Sequence, residues 1–296
     1  MNTGNPRLLL IAPFVFLCLW SGGYVVAKVG LAFAEPMTLL VFRFVAVVLI
    51  MLVIFVFLRP PLPERLIDWV HLAIVGFLIQ AVYFGMCYLG FNAGIAAGTM
   101  ALLMSLQPIL VGLVAPRWSG EVVGWRRWSG LGLGLLGTAI VIIARSDIEP
   151  PTLFGLLCAI IALAGITGGT LWEKRFGLSH HPVTANLFGY TAGLIGVAPL
   201  MFLQESMHVE WNWTFVGALA YLVIGNSIIA VGLLLAMIRA GDVSRVSALF
   251  FLIPPLAAIM AWFVLGEVMP PTAWFGIIIA AIGVFIATRR QSTGPG

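Results

Sequence analysis

Two side-chain amides stand out in a chain whose apolar runs carry few polar groups. Gln80 and Asn226 each lie near the centre of a long apolar run, and 146 residues separate them. An amide offers N–H donors and a carbonyl acceptor, so it can meet an amino group or a carboxylate without carrying charge itself. The chemistry this points to is recognition by hydrogen bonding. A polar group at such a depth in lipid is costly unless it faces protein or a water-filled cavity. The simpler alternative is a hydrogen bond to a neighbouring helix, worth about 0.6–2 kcal/mol in a bilayer. Shared depth and a shared repeat position favour a common cavity.

Other candidates gather around the amides. Trp20 and Tyr24 fall on one face of the first apolar run, and Tyr83 is one turn from Gln80. Met100 and Met104 share a face of the fourth run, with Ser105 and Gln107 beside it, and Ser244, Ser247 and Phe250 are the candidates on the ninth. Aromatic rings with adaptable thioethers suit bulky or varied apolar ligands. Any one Met or Phe alone is more simply a packing residue. Trp20 differs, because an indole N–H in the middle of a span requires a partner.

These residues sit on elements that composition identifies. Hydrophobic residues make up 61% and charged residues 9% of the 296, where a water-soluble domain carries about 25% charged. The apolar runs last roughly 20 residues, enough to span about 30 Å of hydrocarbon. They predict an all-α integral membrane protein with ten helices, at about 8–32, 36–58, 68–90, 95–116, 126–145, 152–172, 183–204, 213–238, 244–265 and 271–288. The connections are too short to hold a soluble domain, so the chemistry lies in or at the membrane. Arg7 precedes a long apolar run with no small-residue cleavage pattern after it, which reads as a retained first helix rather than a signal peptide.

The chain also repeats itself. Shifted by 146 residues, Gly22, Gly23, Lys28, Pro36, Thr38, Pro108, Gly120, Glu121, Trp128, Gly130 and Gly137 fall on Gly168, Gly169, Lys174, Pro182, Thr184, Pro254, Gly266, Glu267, Trp274, Gly276 and Gly283 without a gap. The boundary gives repeats at 1–146 and 147–296, each with five predicted helices. An odd number of crossings inverts the second half relative to the first, the arrangement of alternating-access transporters with a site near mid-membrane.

Placing both termini in the cytoplasm puts Arg7, Arg59, Arg65, Arg117, Arg126, Arg127, Lys174, Arg175, Arg239, Arg245, Arg289 and Arg290 on that side and only Arg145 in an outer loop. That bias is the positive-inside rule, and it makes the net charge of +4 a topology signal rather than a nucleic-acid footprint. Trp69, Trp118, Trp125, Trp128, Trp172, Trp211, Trp213 and Trp274 lie at the predicted interfaces. Lys28 and Arg43 fall within spans, toward the outer ends of their helices. They are expected to snorkel to the outer surface, the functional alternative being that Arg43 pairs with Glu35 or a substrate carboxylate at an outer gate. Glu121 and Glu267 occupy matching turns on opposite sides and are expected to cap turns and helix starts. Pro108, and the Pro254-Pro255 pair, are expected to interrupt helices 4 and 9 and to act as hinges. The glycines of helices 5, 7 and 10 have the small-xxx-small character that permits close packing, within the chain or in a dimer.

Several classes are excluded by what the spans lack. Apart from Asp68 at the very edge of the third, no Asp or Glu falls inside a predicted span, and His71, His180, His181 and His208 lie at helix ends or loops, so an intramembrane enzyme has no acid pair or metal cluster to work with. Cys18, Cys87 and Cys158 each fall within a span and read as packing residues, without disulfide or metal spacing. No phosphate loop is present, and no cofactor is expected. A channel or receptor, or a drug or lipid flippase of the same fold, are the remaining alternatives. A channel is less favoured because the central polar groups are neutral and sparse, without a charged ring or carbonyl filter.

Gln107-Pro108, Gly120-Glu121 and Trp128-Ser-Gly130, repeated as Pro254, Gly266-Glu267 and Trp274-Phe-Gly276, resemble the EamA-type domain of the drug/metabolite transporter superfamily, present twice. The run Trp20-Ser21-Gly22-Gly23-Tyr24 followed by Lys28 is similar to that family's first helix. The resemblance implies a transporter rather than an enzyme. Helices 1 and 3 look closest to its amino-acid exporter branch, including aromatic amino-acid exporters of the YddG type. The implied function is export of amino acids, aromatic or otherwise apolar, across the plasma (inner) membrane, with a small-molecule substrate and the lipid bilayer as partners, no nucleic acid, and either a monomer or a homodimer. Cationic drugs or other metabolites are the alternative cargo.

Overall fold

The computed structural model describes residues 6–114, 124–146, 151–176, 180–233 and 252–288. The described residues are helical, joined by short turns, and the strand-like pairing among them is a single bridge between Ala34 and Val209. In chain order the helices are α1 (Pro6–Leu31), α2 (Pro36–Leu58), α3 (Leu66–Asn92), α4 (Ala97–Val114), α5 (Trp125–Ser146), α6 (Leu153–Phe176), α7 (Pro182–Gln204), α8 (Trp213–Leu233), α9 (Ile253–Leu265) and α10 (Pro271–Thr288). Seven of them, α1–α4 and α6–α8, are long and apolar enough to cross a bilayer, while α5, α9 and α10 carry shorter apolar stretches. Where the expected helices have described counterparts, the ends agree within a few residues. The ninth was expected from about 244, whereas its described part starts at Ile253; Ser244, Ser247 and Phe250 lie outside the described residues.

Local signals set the ends. Pro36 opens α2 and Pro182 opens α7, where a missing N–H costs nothing because the first turn has no intrahelical acceptor for it. His181 caps α7 by accepting the Val183 N–H, a structural use for that ring. Gly266, at φ +67°, closes α9 in the left-handed conformation that glycine adopts without a Cβ clash.

Two helix pairs form a frame. Between α5 and α10, glycines let backbone meet backbone. A Cβ on Gly137 would strike the Gly276 carbonyl, and one on Gly283 would stand 2.7 Å from the Gly130 carbonyl. The glycine spacing of these two helices therefore serves packing within the chain. Between α2 and α7, the ends are tied. Glu205, just past α7, accepts the N–H groups of Met37 and Thr38 and the Thr38 hydroxyl at 2.7, 2.7 and 2.8 Å, which satisfies the free donors at the start of α2. At the opposite end, Thr184 of α7 donates to the Pro61 carbonyl at 3.2 Å.

The 146-residue correspondence reaches into backbone geometry. A π-helical turn occupies Phe77–Phe84 in the middle of α3, and another occupies Tyr221–Ala230 in α8, where the repeat places it. Such wide turns are rare and collect at functional sites. Each is bordered by the glycine pair of the helix that packs on it. Gly168 and Gly169 of α6 lie against Leu78 and Ile79 of the α3 turn, and Gly22 and Gly23 of α1 lie against Tyr221 and Asn226 of the α8 turn.

Helix α4 is broken at Ser105-Leu106 and resumes at Gln107. Pro108 explains the break, since it has no N–H for the Met104 carbonyl and its ring crowds that carbonyl. The described part of α9 begins at the equivalent residue, Ile253, so Pro254 matches Pro108. Pro254 and Pro255 stand in the first turn of the described part of α9, and residues 234–251 before it lie outside the described residues.

Candidate functional site

Helices α1, α2, α3 and α8 line a narrow cleft at the join of the two halves. From α1 it takes Trp20, Gly23, Tyr24 and Ala27, and from α3 Tyr83, Phe84, Cys87, Tyr88 and Phe91. Arg43 of α2 and Asn226 of α8 complete it. Residues 20, 23, 24 and 27 and residues 84, 87, 88 and 91 follow the same i, i+3, i+4, i+7 pattern, the spacing of a single helical face. Tyr24 and Tyr83 close the cleft across its width, their hydroxyls 3.3 Å apart.

Asn226 is held on two sides. Its Nδ2 donates to the Leu19 carbonyl of α1 at 3.2 Å, and its Oδ1 accepts from Arg43 Nη2 at 2.9 Å. The first bond depends on Gly23, because a Cβ there would fall on the Asn226 amide nitrogen. In the same way, Gly22 makes room for Tyr221, whose hydroxyl donates to the Cys18 and Leu19 carbonyls at 3.2 Å each. Removing two side chains from α1 therefore exposes its backbone to polar groups of α8.

Arg43 corrects the expectation of snorkelling. The side chain is 1% exposed and turns inward, and it makes no contact with Glu35. Its Nε and Nη2 donate to Ser227 Oγ at 3.1 and 2.9 Å, Nη2 also to Asn226, and Nη1 to the Tyr88 hydroxyl at 3.0 Å. The Phe84 ring lies under the guanidinium, 4.4 Å from its carbon to the ring centre. Ser227 in turn donates to the Leu222 carbonyl five residues back, a partner that the π-helical turn supplies. Lys28 does not simply snorkel either. It pairs with Glu267 at 2.7 Å.

Gln80 lies outside this cleft. Its Cβ packs where a Cβ on Gly193 of α7 would stand, and its buried Oε1 finds no hydrogen-bond partner among the described residues. The reason is a break in the repeat. Asn226 meets Arg43, but the residue equivalent to Arg43 is Gly189, which packs against Gly76 and offers Gln80 nothing. The two amides thus occupy equivalent positions without sharing a cavity. Met100 and Met104 are also away from it. Both are buried, and Met100 fills the space that a side chain at Gly90 would need. Of the residues expected from sequence, the cleft brings together Trp20, Tyr24, Tyr83 and Asn226. Arg43, weighed from sequence as a snorkelling residue or an outer-gate partner of a substrate carboxylate, also lines it, and Gly23, Ala27, Phe84, Cys87, Tyr88 and Phe91 were missed. The shared facial spacing on α1 and α3 was the signal that could have found most of them.

The chain belongs to the EamA-like transporter family, which matches it twice, over residues 8–143 and 153–289. It is a membrane transporter of the EamA group within the drug/metabolite transporter superfamily. An uncharacterized transporter of Synechocystis sp. is 25% identical over 96% of this chain and 90% of its own length. The uncharacterized inner membrane transporter YedA of Escherichia coli (strain K12) is 22% identical over 96% and 94%. A protein of the same strain named a probable amino-acid metabolite efflux pump is 22% identical over 93% of each chain. One solved crystal structure has the same fold, with a TM-score of 0.63 at 18% identity over 95% of this chain and 96% of that one.

Proposed function

We propose that this chain exports amino acids with aromatic or apolar side chains, as the YddG-type branch does, by alternating access through the cleft between α1, α2, α3 and α8. The observation that carries this reading is the aromatic wall of Trp20, Tyr24, Tyr83, Phe84 and Phe91 facing a polar end formed by Asn226 and Arg43. The relative named a probable amino-acid metabolite efflux pump supports the cargo class. In this reading the two halves have opposite orientation, both termini are cytoplasmic, the membrane is the plasma (inner) membrane, and Pro108 and the Pro254-Pro255 pair are the pivots between states. Cationic drugs are the poorer cargo, because Arg43 repels them.

The test is counterflow of labelled phenylalanine in proteoliposomes. Wild type should exchange it, and Trp20→Ala and Asn226→Ala should each cut the rate about tenfold or more with normal expression. Loss of about 1.4 kcal/mol of binding corresponds to that factor. Wild-type rates in both variants would overturn the site, and no counterflow of any aromatic amino acid would overturn the cargo.

A further inference from the structure

We infer that the cleft takes its ligand by a carboxylate bound at Arg43 and does not require a cationic group on that ligand. The inference rests on reading the cleft as the substrate site. Arg43 is buried, yet every acceptor it meets is neutral: Ser227, Asn226 and Tyr88. Among the described residues the ion pair is Lys28–Glu267, and it leaves Arg43 without an acid. A buried charge without a counter-charge costs several kcal/mol, and hydrogen bonds to neutral groups offset only part of that.

Tying helices together does not account for the charge. Neutral donors could reach the same three oxygens, and at the equivalent position of the other half the fold is built with Gly189. The guanidinium also retains capacity. It has five N–H bonds and makes four contacts, which leaves one N–H on Nη1, the nitrogen that faces Tyr88. A carboxylate arriving at Nη1 would meet that donor. It would also turn the Tyr88 hydroxyl from acceptor to donor, giving two charge-assisted bonds for the one exchanged. Among the described residues the cleft offers no acid to receive an ammonium: besides Arg43 its polar side chains are the Tyr24, Tyr83 and Tyr88 hydroxyls, the Cys87 thiol, the Trp20 indole and the Asn226 amide. The class of ligand that fits is an aryl or alkyl carboxylate, whether or not it carries an α-amino group.

Three probes of matched shape and different charge test this on the purified full chain in detergent: 3-phenylpropionate, 3-phenylpropanol and 3-phenylpropylamine. Equilibrium dialysis with labelled 3-phenylpropionate should show saturable binding. The alcohol should compete at least about tenfold more weakly, and the amine should not compete. Arg43→Gln should erase the preference for the acid. Tyr88→Phe, which keeps the charge, should preserve it. No saturable binding of the acid, equal competition by the alcohol, or an acid preference that survives Arg43→Gln would each overturn the inference. The wild-type comparison decides the matter even if Arg43→Gln does not fold. Phenylalanine counterflow separates the two readings. Counterflow without acid preference defeats the carboxylate site alone, and acid preference without counterflow defeats the amino-acid cargo alone.

Discussion

Lys28 Nζ lies 2.7 Å from Glu267 Oε1, and the same oxygen accepts the Ala97 N–H at 3.2 Å. One carboxylate therefore joins the last turn of α1, the turn after α9 and the first turn of α4. The pair spans the two halves, one turn beyond Tyr24 and directly after Ala27 of the cleft wall. The carboxylate side chain is 5% exposed and the ammonium 20%, so water screens the pair only in part. In the proposed topology this end faces outward, where the pair would hold an outer mouth shut.

Breaking that pair should shift the protein toward an open outer mouth. Lys28→Met leaves a nearly buried carboxylate with one backbone donor, and losing a hydrogen bond to a charged partner costs about 1.5–3 kcal/mol. A cysteine replacing Ala27 in the cleft wall should then react with an impermeant thiol reagent about tenfold faster in Lys28→Met than in the parent. Equal reactivity would mean that the pair does not close this end. The swapped pair, Lys28→Glu with Glu267→Lys, should recover part of the protection.

The glycines of α1 make a second prediction. A methyl group on Gly23 must displace the Asn226 amide, which would break its bond to the Leu19 carbonyl and disturb its bond to Arg43. Overpacking of this kind costs about 1–3 kcal/mol. Gly23→Ala should therefore reduce counterflow about tenfold or more. Gly132→Ala, where an added Cβ meets nothing within 4 Å, should leave it unchanged. Equal activity in the two variants would show that the Asn226 position is not critical.

Much of this architecture could be read from the chain because membrane helices and repeats leave coarse signals. The helix ends, the repeat and the place of Asn226 near mid-span follow from apolar runs and from the 146-residue shift. The site was less legible because the shift says which positions are equivalent and not which way they face. Gln80 and Asn226 are equivalent, but only Asn226 has a cation opposite it, since Arg43 is matched by Gly189. Arg43 itself invited a snorkelling assignment because it is near the start of α2. Seven residues past Pro36 is roughly 10 Å along a helix at 1.5 Å per residue. Arginine can cover that distance, so depth alone could not show that the side chain turns inward to Ser227. Met100 and Met104 share a face as expected, and that face is buried against other helices.

A third prediction concerns pH and the loops at the same end. Slight burial pushes the Glu35 carboxyl up, but the Ser206 backbone N–H and hydroxyl and the N–H groups of His208 and Met207 outweigh it and hold the group below its ordinary value near 4.5. A lowered folded value means that the ionised form stabilises the fold. That contribution is complete above the ordinary carboxylate range and is lost as pH falls through the folded value. Wild type should thus melt above Glu35→Gln at neutral pH, and the gap should close on acidification below about pH 4. A gap that stays constant with pH would exclude this linkage.

The last prediction concerns energy coupling. A proton-driven carrier usually keeps in the membrane interior an acid or histidine whose charge alternates with substrate. The described cleft carries arginine, tyrosine and cysteine, groups that ordinarily titrate above about pH 8. Glu267, one turn from the cleft wall, is engaged by Lys28 and the Ala97 N–H, so protonating it would remove the ion pair that helps join α1, α4 and α9. Transport is therefore expected to run downhill, with net export set by the substrate gradient. In proteoliposomes holding equal phenylalanine on both sides, a pH step across the membrane should produce no accumulation, and the exchange rate should be flat between about pH 6 and 7.5. Accumulation that collapses with a protonophore would show coupling. If it persisted in Glu267→Gln, the proton carrier would lie elsewhere than at this carboxylate.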